Sequence, residues 1–137
     1  MMVTPLYAGL LVIWYLVLSI RVIQYRGSAK INLGDGGDVS MLRRIRAHAN
    51  FGEYVPLLLL MIGYLELSHT SIYVLHALGA TLLLARLIHG ISLSFTRKWM
   101  FGRFWGTLVT FILLLIAAVL CVYQGIQGHL AWYGTHV

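Results

Sequence analysis

Arg43, Arg46, Asn50 and Glu53 follow one another at spacings of three, four and three residues, at the head of an apolar run. At 3.6 residues per turn they share one helix face. Further along, Arg86 and His89 stand three apart, and Arg103 precedes the last apolar stretch. Ionisable side chains inside a membrane segment are costly, so they are seldom there without a partner or a task. A guanidinium wants a planar carboxylate, and a carboxylate wants charge-assisted donors. One glutamate cannot absorb so many donors, and the surplus suggests a pocket for an anionic ligand.

The elements that must carry this set are membrane helices. Of 137 residues 60% are apolar, while ten are basic and four acidic. A soluble domain of that size has too little interior to bury so much apolar surface. Apolar runs over about residues 3–22, 41–67, 71–95 and 104–125 each reach the length of a bilayer-crossing helix. They are continuous rather than alternating, which argues against a barrel. The expected fold is an all-α membrane protein, an up-down bundle of four transmembrane helices in one domain. Basic residues gather in the first connection (Arg21, Arg26, Lys30, Arg43, Arg44, Arg46) and the third (Arg97, Lys98, Arg103). The positive-inside rule then puts both connections in the cytoplasm and both termini outside. The net charge of +6 is therefore a topology signal first, and nucleic acid is not an expected partner. No basic residue precedes the first run and no small-residue cleavage site follows it, so a signal peptide is a poor reading. Gly27 to Ser40 has the composition of a flexible loop, Ser68-His69-Thr70 that of a tight hairpin, and Gly102 is expected to break the chain before the last helix.

Depth suggests a partner for the glutamate. Glu53 lies roughly 15 Å along its helix from Arg43, and Arg86 roughly 16 Å from Arg97 on the antiparallel neighbour. Glu53 and Arg86 are therefore expected to meet, within one subunit or across an interface. Such a pair can also serve only to fix helix register. Pro56 is expected to kink the second helix. Tyr54 can place its hydroxyl at the pocket rim or anchor at the interface. His48 faces away from the stripe and reads as a headgroup-level residue, and Trp14 as lipid-facing bulk. Trp99, Trp105 and Trp132 read as interfacial anchors. Gly63, Ala77, Gly79 and Ala80 permit close helix approach. Cys121 has no disulfide partner. The remaining histidines show no metal-ligand clustering, and no metal is expected.

Arg46-Ala47, then Asn50, Glu53, Tyr54 and Pro56, resemble the signature R-A-x-x-N-x-x-E-x-x-P of the MAPEG family, the membrane-associated proteins in eicosanoid and glutathione metabolism. Arg86 with His89, and Arg103, extend the resemblance over the whole four-span layout. It implies a homotrimer with glutathione bound between subunits near the cytoplasmic side. Arg43, Arg46, Asn50, Glu53, Tyr54, Arg86 and His89 would contact that ligand, the glutamate holding its amino group and the arginines its carboxylates. Arg103, with Arg97 as competitor, would stabilise the thiolate as the catalytic residue. The implied activity is a transferase or peroxidase acting on lipophilic electrophiles or hydroperoxides, in a bacterial inner membrane. Leu93 and Thr107 stand where some eicosanoid-forming members carry tyrosine, which counts against eicosanoid synthesis. Two other readings are a non-catalytic trimer that binds an anionic ligand, and a small transporter using Glu53 and Arg86. The polar residues crowd one side of the bundle, which weakens the transporter.

Overall fold

In a computed structural model the chain forms four helices, α1 (Val3–Ala29), α2 (Val39–Leu67), α3 (Ile72–Ser94) and α4 (Met100–His136). The structure describes residues 1–96 and 99–136, the last two of these by backbone alone. Arg97 lies outside the described residues, so only Arg103 of the two competing arginines can be placed.

Contacts along the helices fix their directions. The start of α1 meets the end of α2 where main-chain N–H groups of Val3 and Thr4 donate to the Glu66 carboxylate, both at 2.8 Å. The first N–H groups of a helix have no partner of their own, so Glu66 acts as a cap supplied by another helix. Near the other end of α1, the Tyr25 hydroxyl donates to Asp38 at 3.0 Å. Tyr7 lies against Gly79 and Trp14 against Gly90, so α1 and α3 run parallel. Gly106 lies against His89, and Cys121 beside the Met61 carbonyl. The bundle is therefore up-down, with α2 and α3 central; α1 packs on one side of them and α4 on the other. Leu11, Leu18, Phe51, Val55, Leu58, Ile62, Leu82, Leu113 and Ala117 fill the core.

Three helices, α1, α3 and α4, are long and apolar enough to cross a membrane. At 29 residues α2 has the length. Its polar stripe and Glu66 make it less apolar than expected of a fourth such span. It continues through Pro56 without ending. Exposed leucine, isoleucine, valine and phenylalanine cover the outside of the bundle, which is the surface lipid solvates.

Several local expectations need correction. Gly27 belongs to α1, and the loop reduces to residues 30–38, where Gly34, Gly36 and Gly37 take positive φ. Arg26 holds it by donating to the Ile31 and Gly34 carbonyls at 3.3 and 3.1 Å. Asp38 ends it by accepting the Met41 N–H at 2.9 Å as the N-cap of α2. That bond, with the Tyr25 hydroxyl and Arg44 adding to it, holds the Asp38 carboxyl below its usual range. Gly102 lies inside α4, not before it, and its place there is one of close approach, since a side chain would strike Ser92 and the Trp99 ring. Trp14 is not lipid-facing bulk: it packs on Gly90 and donates its indole N–H to the Arg86 carbonyl at 3.1 Å. His48 is half-buried and stacks on Tyr15 with ring centroids 4.4 Å apart, so it joins α1 to α2.

Candidate functional site

At the loop end of the bundle, opposite both chain ends, three helices enclose a cavity of about 440 Å³. Leu42, Arg43, Arg46 and Asn50 line it from α2, His89 and Leu93 from α3, and Arg103 and Thr107 from α4. Five of the eight residues expected at a site thus converge, although Arg46 and Arg103 are 57 positions apart in sequence. The α2 stripe faces the seam between α3 and α4, and Gly106 makes that seam narrow. A Cβ on Gly106 would lie 2.7 Å from the His89 Cβ and 2.9 Å from the Ala85 carbonyl oxygen. Among the lining residues there is no carboxylate, while three guanidiniums and an imidazole are present. The volume is within the usual range for small-molecule sites, and the charge suits an anion.

Arg43 shares its donors with the protein. Its guanidinium reaches the carbonyls of Ser92, Leu93 and Thr96 at 2.9, 3.3 and 2.7 Å. Arg21 joins it at the Ser94 carbonyl at 3.1 Å, lying 4.3 Å above the Phe95 ring. Carbonyls at a helix end are unpaired and carry partial negative charge, so these arginines cap α3. Arg46, by contrast, is exposed on the cavity side and makes no bond among the described residues.

Arg86, Glu53 and Tyr54 do not line the cavity. Arg86 is 1% exposed and sits behind it, donating to the Asn50 carbonyl at 3.4 Å, the Gly106 carbonyl at 3.2 Å and the Thr110 hydroxyl. It ties α2, α3 and α4 together, and the Nε of its guanidinium has no partner. The expected pairing with Glu53 does not occur within the chain. Glu53 is exposed and has no bond or ion pair among the described residues. At 100° per residue it keeps within about 20° of Arg46 in helical phase, and it misses the cavity because it stands nearly one turn further along α2 than Asn50. Tyr54 is turned between Phe111, at 5.4 Å edge to face, and the Arg86 guanidinium at 5.8 Å, not toward the rim.

Sequence reasoning missed Thr110, whose fully buried hydroxyl serves Arg86 and the Gly106 carbonyl. It also did not place Thr107 and Leu93 in the cavity wall. The four- and seven-residue spacings from Arg103 to Thr107 and Thr110 were the available signal. A second, apolar groove of about 430 Å³ runs along α4 between Met100, Phe104, Leu108 and Phe111. Arg103 and Thr107 line both spaces. The Thr107 hydroxyl donates to the Arg103 carbonyl at 3.0 Å.

The Inner membrane protein YecN of Escherichia coli strain K12 is 32% identical over 88 residues, covering 64% of this chain and 67% of that protein. Its counterpart in an O6:H1 strain matches to the same extent. No solved structure matches the chain. The sequence profile of the MAPEG family matches residues 4–123, a stretch holding every helix-borne residue of the cavity, and this multi-pass membrane protein therefore belongs to the MAPEG family.

Proposed function

We propose that the chain resides in a bacterial inner membrane, binds glutathione in the cation-lined cavity, and presents it to lipophilic electrophiles or hydroperoxides. One observation carries this reading: Arg46, Asn50, His89 and Arg103, brought from three helices, line a single cavity that holds no carboxylate. Glutathione is an anionic tripeptide whose carboxylates suit guanidinium donors. Arg46 would take one carboxylate, since none of its donors is committed among the described residues. The Asn50 amide is likewise unbonded among them and would hold a main-chain amide of the ligand. Arg43 would contribute field more than bonds, its donors being held by α3.

The ligand supplies a thiol. A free thiol ionises near pH 8.5, and adjacent positive charge favours the thiolate. Arg103 has the position for that role, on the wall between the polar cavity and the apolar groove. The groove would admit a reactant dissolved in the bilayer up to that same guanidinium. Glu53 does not line its own cavity and would hold the ligand's amino group in the cavity of a neighbouring subunit, within a homotrimer.

A second reading, a trimeric glutathione-binding protein without turnover, is favoured by Leu93 and Thr107. The cavity offers no phenol, and the Thr107 hydroxyl is occupied with the Arg103 carbonyl. Titrating detergent-solubilised protein with glutathione, and following thiolate absorbance in the ultraviolet, separates the readings. The first expects tight binding, a rise in thiolate that Arg103→Ala abolishes, and turnover of an aryl halide or an organic hydroperoxide. Binding without thiolate or turnover supports the second. No binding sinks both.

A further inference from the structure

Among the residues that line the cation-lined cavity, one is able to take up a proton at neutral pH. The guanidiniums of Arg43, Arg46 and Arg103 have donors and no acceptor, and the Asn50 amide is not basic. The Thr107 hydroxyl is committed to the Arg103 carbonyl. The remaining polar side chain is the imidazole of His89, and a neutral imidazole carries one nitrogen that accepts a proton. Its surroundings leave that nitrogen free. His89 is 3% exposed, and neither ring nitrogen has a hydrogen-bond partner among the described residues. Neither is sealed off from open space, unlike the unpartnered Nε of Arg86 one turn away. The open space that the ring meets is the cavity it lines. Gly106 sets α4 against the root of this side chain, within a turn of Arg103 and next to Thr107.

A thiol held in this cavity needs a group to receive its proton. Transfer to His89 leaves a thiolate beside an imidazolium, so the net charge of the cavity does not change. Attack of that sulfur on a hydroperoxide then creates an alkoxide that needs a proton back. Leu93 and Thr107 stand in the wall, and no phenol there supplies one. Building on the glutathione reading above, we propose that His89 is the acid–base residue of the site and that the substrate class is the organic hydroperoxide. His89 takes the S–H proton, and the sulfur electron pair attacks the terminal oxygen of the peroxide. The S–O bond forms, the O–O bond breaks, and the freed electron pair leaves on the alkoxide. His89 returns the proton to that oxygen. The products are an alcohol and glutathione sulfenic acid, with sulfur oxidised and the peroxide reduced. A second glutathione thiol converts the sulfenic acid to the disulfide and releases water. An aryl halide makes less use of this residue, because the departing halide takes no proton.

Calorimetry at pH 7 in two buffers of different ionisation enthalpy counts the protons released when glutathione binds, while ultraviolet absorbance counts thiolate. S-methylglutathione, which has no thiol, supplies the baseline for both. Wild type is expected to form thiolate and release no proton for it, because His89 keeps that proton. In His89→Gln, each thiolate formed should send one proton to the buffer. That variant should bind glutathione within about twofold of wild type, yet reduce an organic hydroperoxide about a hundredfold more slowly. One proton released per thiolate in wild type overturns the proposal and leaves the glutathione reading intact. A loss in His89→Gln confined to affinity, with turnover at saturation unchanged, also overturns it and makes His89 a ligand contact. The wild-type count needs no variant, so it decides the matter even where His89→Gln fails to fold. No binding by wild type, or binding without thiolate, overturns the proposal together with the turnover reading.

Discussion

Arg43, Arg46 and Arg86 would be interchangeable in a count of cationic residues, yet their surroundings give them three different tasks. Arg86 is enclosed and bonds two main-chain carbonyls and a hydroxyl from two neighbouring helices. Lysine cannot reproduce that fork. Arg86→Lys is expected to lower the stability of the bundle by about 2 kcal/mol, the scale of a lost charged hydrogen bond, read from thermal unfolding in detergent. Arg46 is exposed and unbonded among the described residues. Arg46→Ala should leave the melt nearly unchanged while weakening glutathione binding about tenfold in calorimetry. A reversed pattern, with Arg46→Ala unfolding the protein and Arg86→Lys weakening only the ligand, would refute this division. The sequence offered the three arginines as one class, because residue type and helical phase carry no information on what the facing helix presents. The Thr110 hydroxyl and the Gly106 carbonyl lie on α4, and no spacing on α2 or α3 points to them.

The elements position the cavity through two small features. Gly106 brings α4 against His89 so closely that a methyl group meets main-chain atoms of α3, which cannot rotate away. Gly106→Ala should push the helices apart at the cavity, at a cost of about 1–3 kcal/mol, and weaken glutathione binding with it. Gly102→Ala would act at the same seam, but against Ser92 and the Trp99 ring. The second feature is Asp38, which caps α2 and, through Tyr25, joins its start to α1. Its carboxyl ionises below its ordinary value of 3.8 in the folded protein. The cap is therefore fully present above that pH and is lost as pH falls through the folded value. The protection of the first amides of α2 from hydrogen exchange, relative to the intrinsic rate at each pH, is expected to fall below about pH 4, and Asp38→Asn should remove that dependence. The α2 stripe and the short second hairpin were legible in the sequence, since helical period and turn residues are local properties. Which glycine faces which helix is a tertiary property, so Gly106 and Gly90 went unread while Gly63 and Gly79 were noticed. The length of α4 was also understated. Apolar content sets the boundary of a span, whereas hydrogen bonding allows the helix to continue beyond it.

For the whole molecule, the unmatched charges inside the bundle are informative. Among the described residues, Arg86 is buried without a carboxylate, and Glu53 is exposed without a cation. In lipid such a carboxylate is costly, so a neighbouring molecule is expected to cover it. Under the proposed trimer, Glu53 of one subunit completes the cavity built by Arg46 and Arg103 of the next. A ring of this kind makes the same head-to-tail contact three times. Glu53→Ala should then abolish glutathione binding without changing the fold, because Glu53 bonds nothing among the described residues. Complementation gives the stronger test. Chains carrying Glu53→Ala and chains carrying Arg46→Ala each lack one half of a site, and neither should bind alone with the wild-type affinity. In trimers assembled at random from both, a cavity regains both halves when an Arg46 from one chain faces a Glu53 from the other. With one handed contact per cavity, about a quarter of the sites should recover. Calorimetry of the co-expressed mixture, set against the two homogeneous preparations, reads this directly. If both residues serve one cavity within a single chain, mixing restores nothing, because every chain in the mixture is defective.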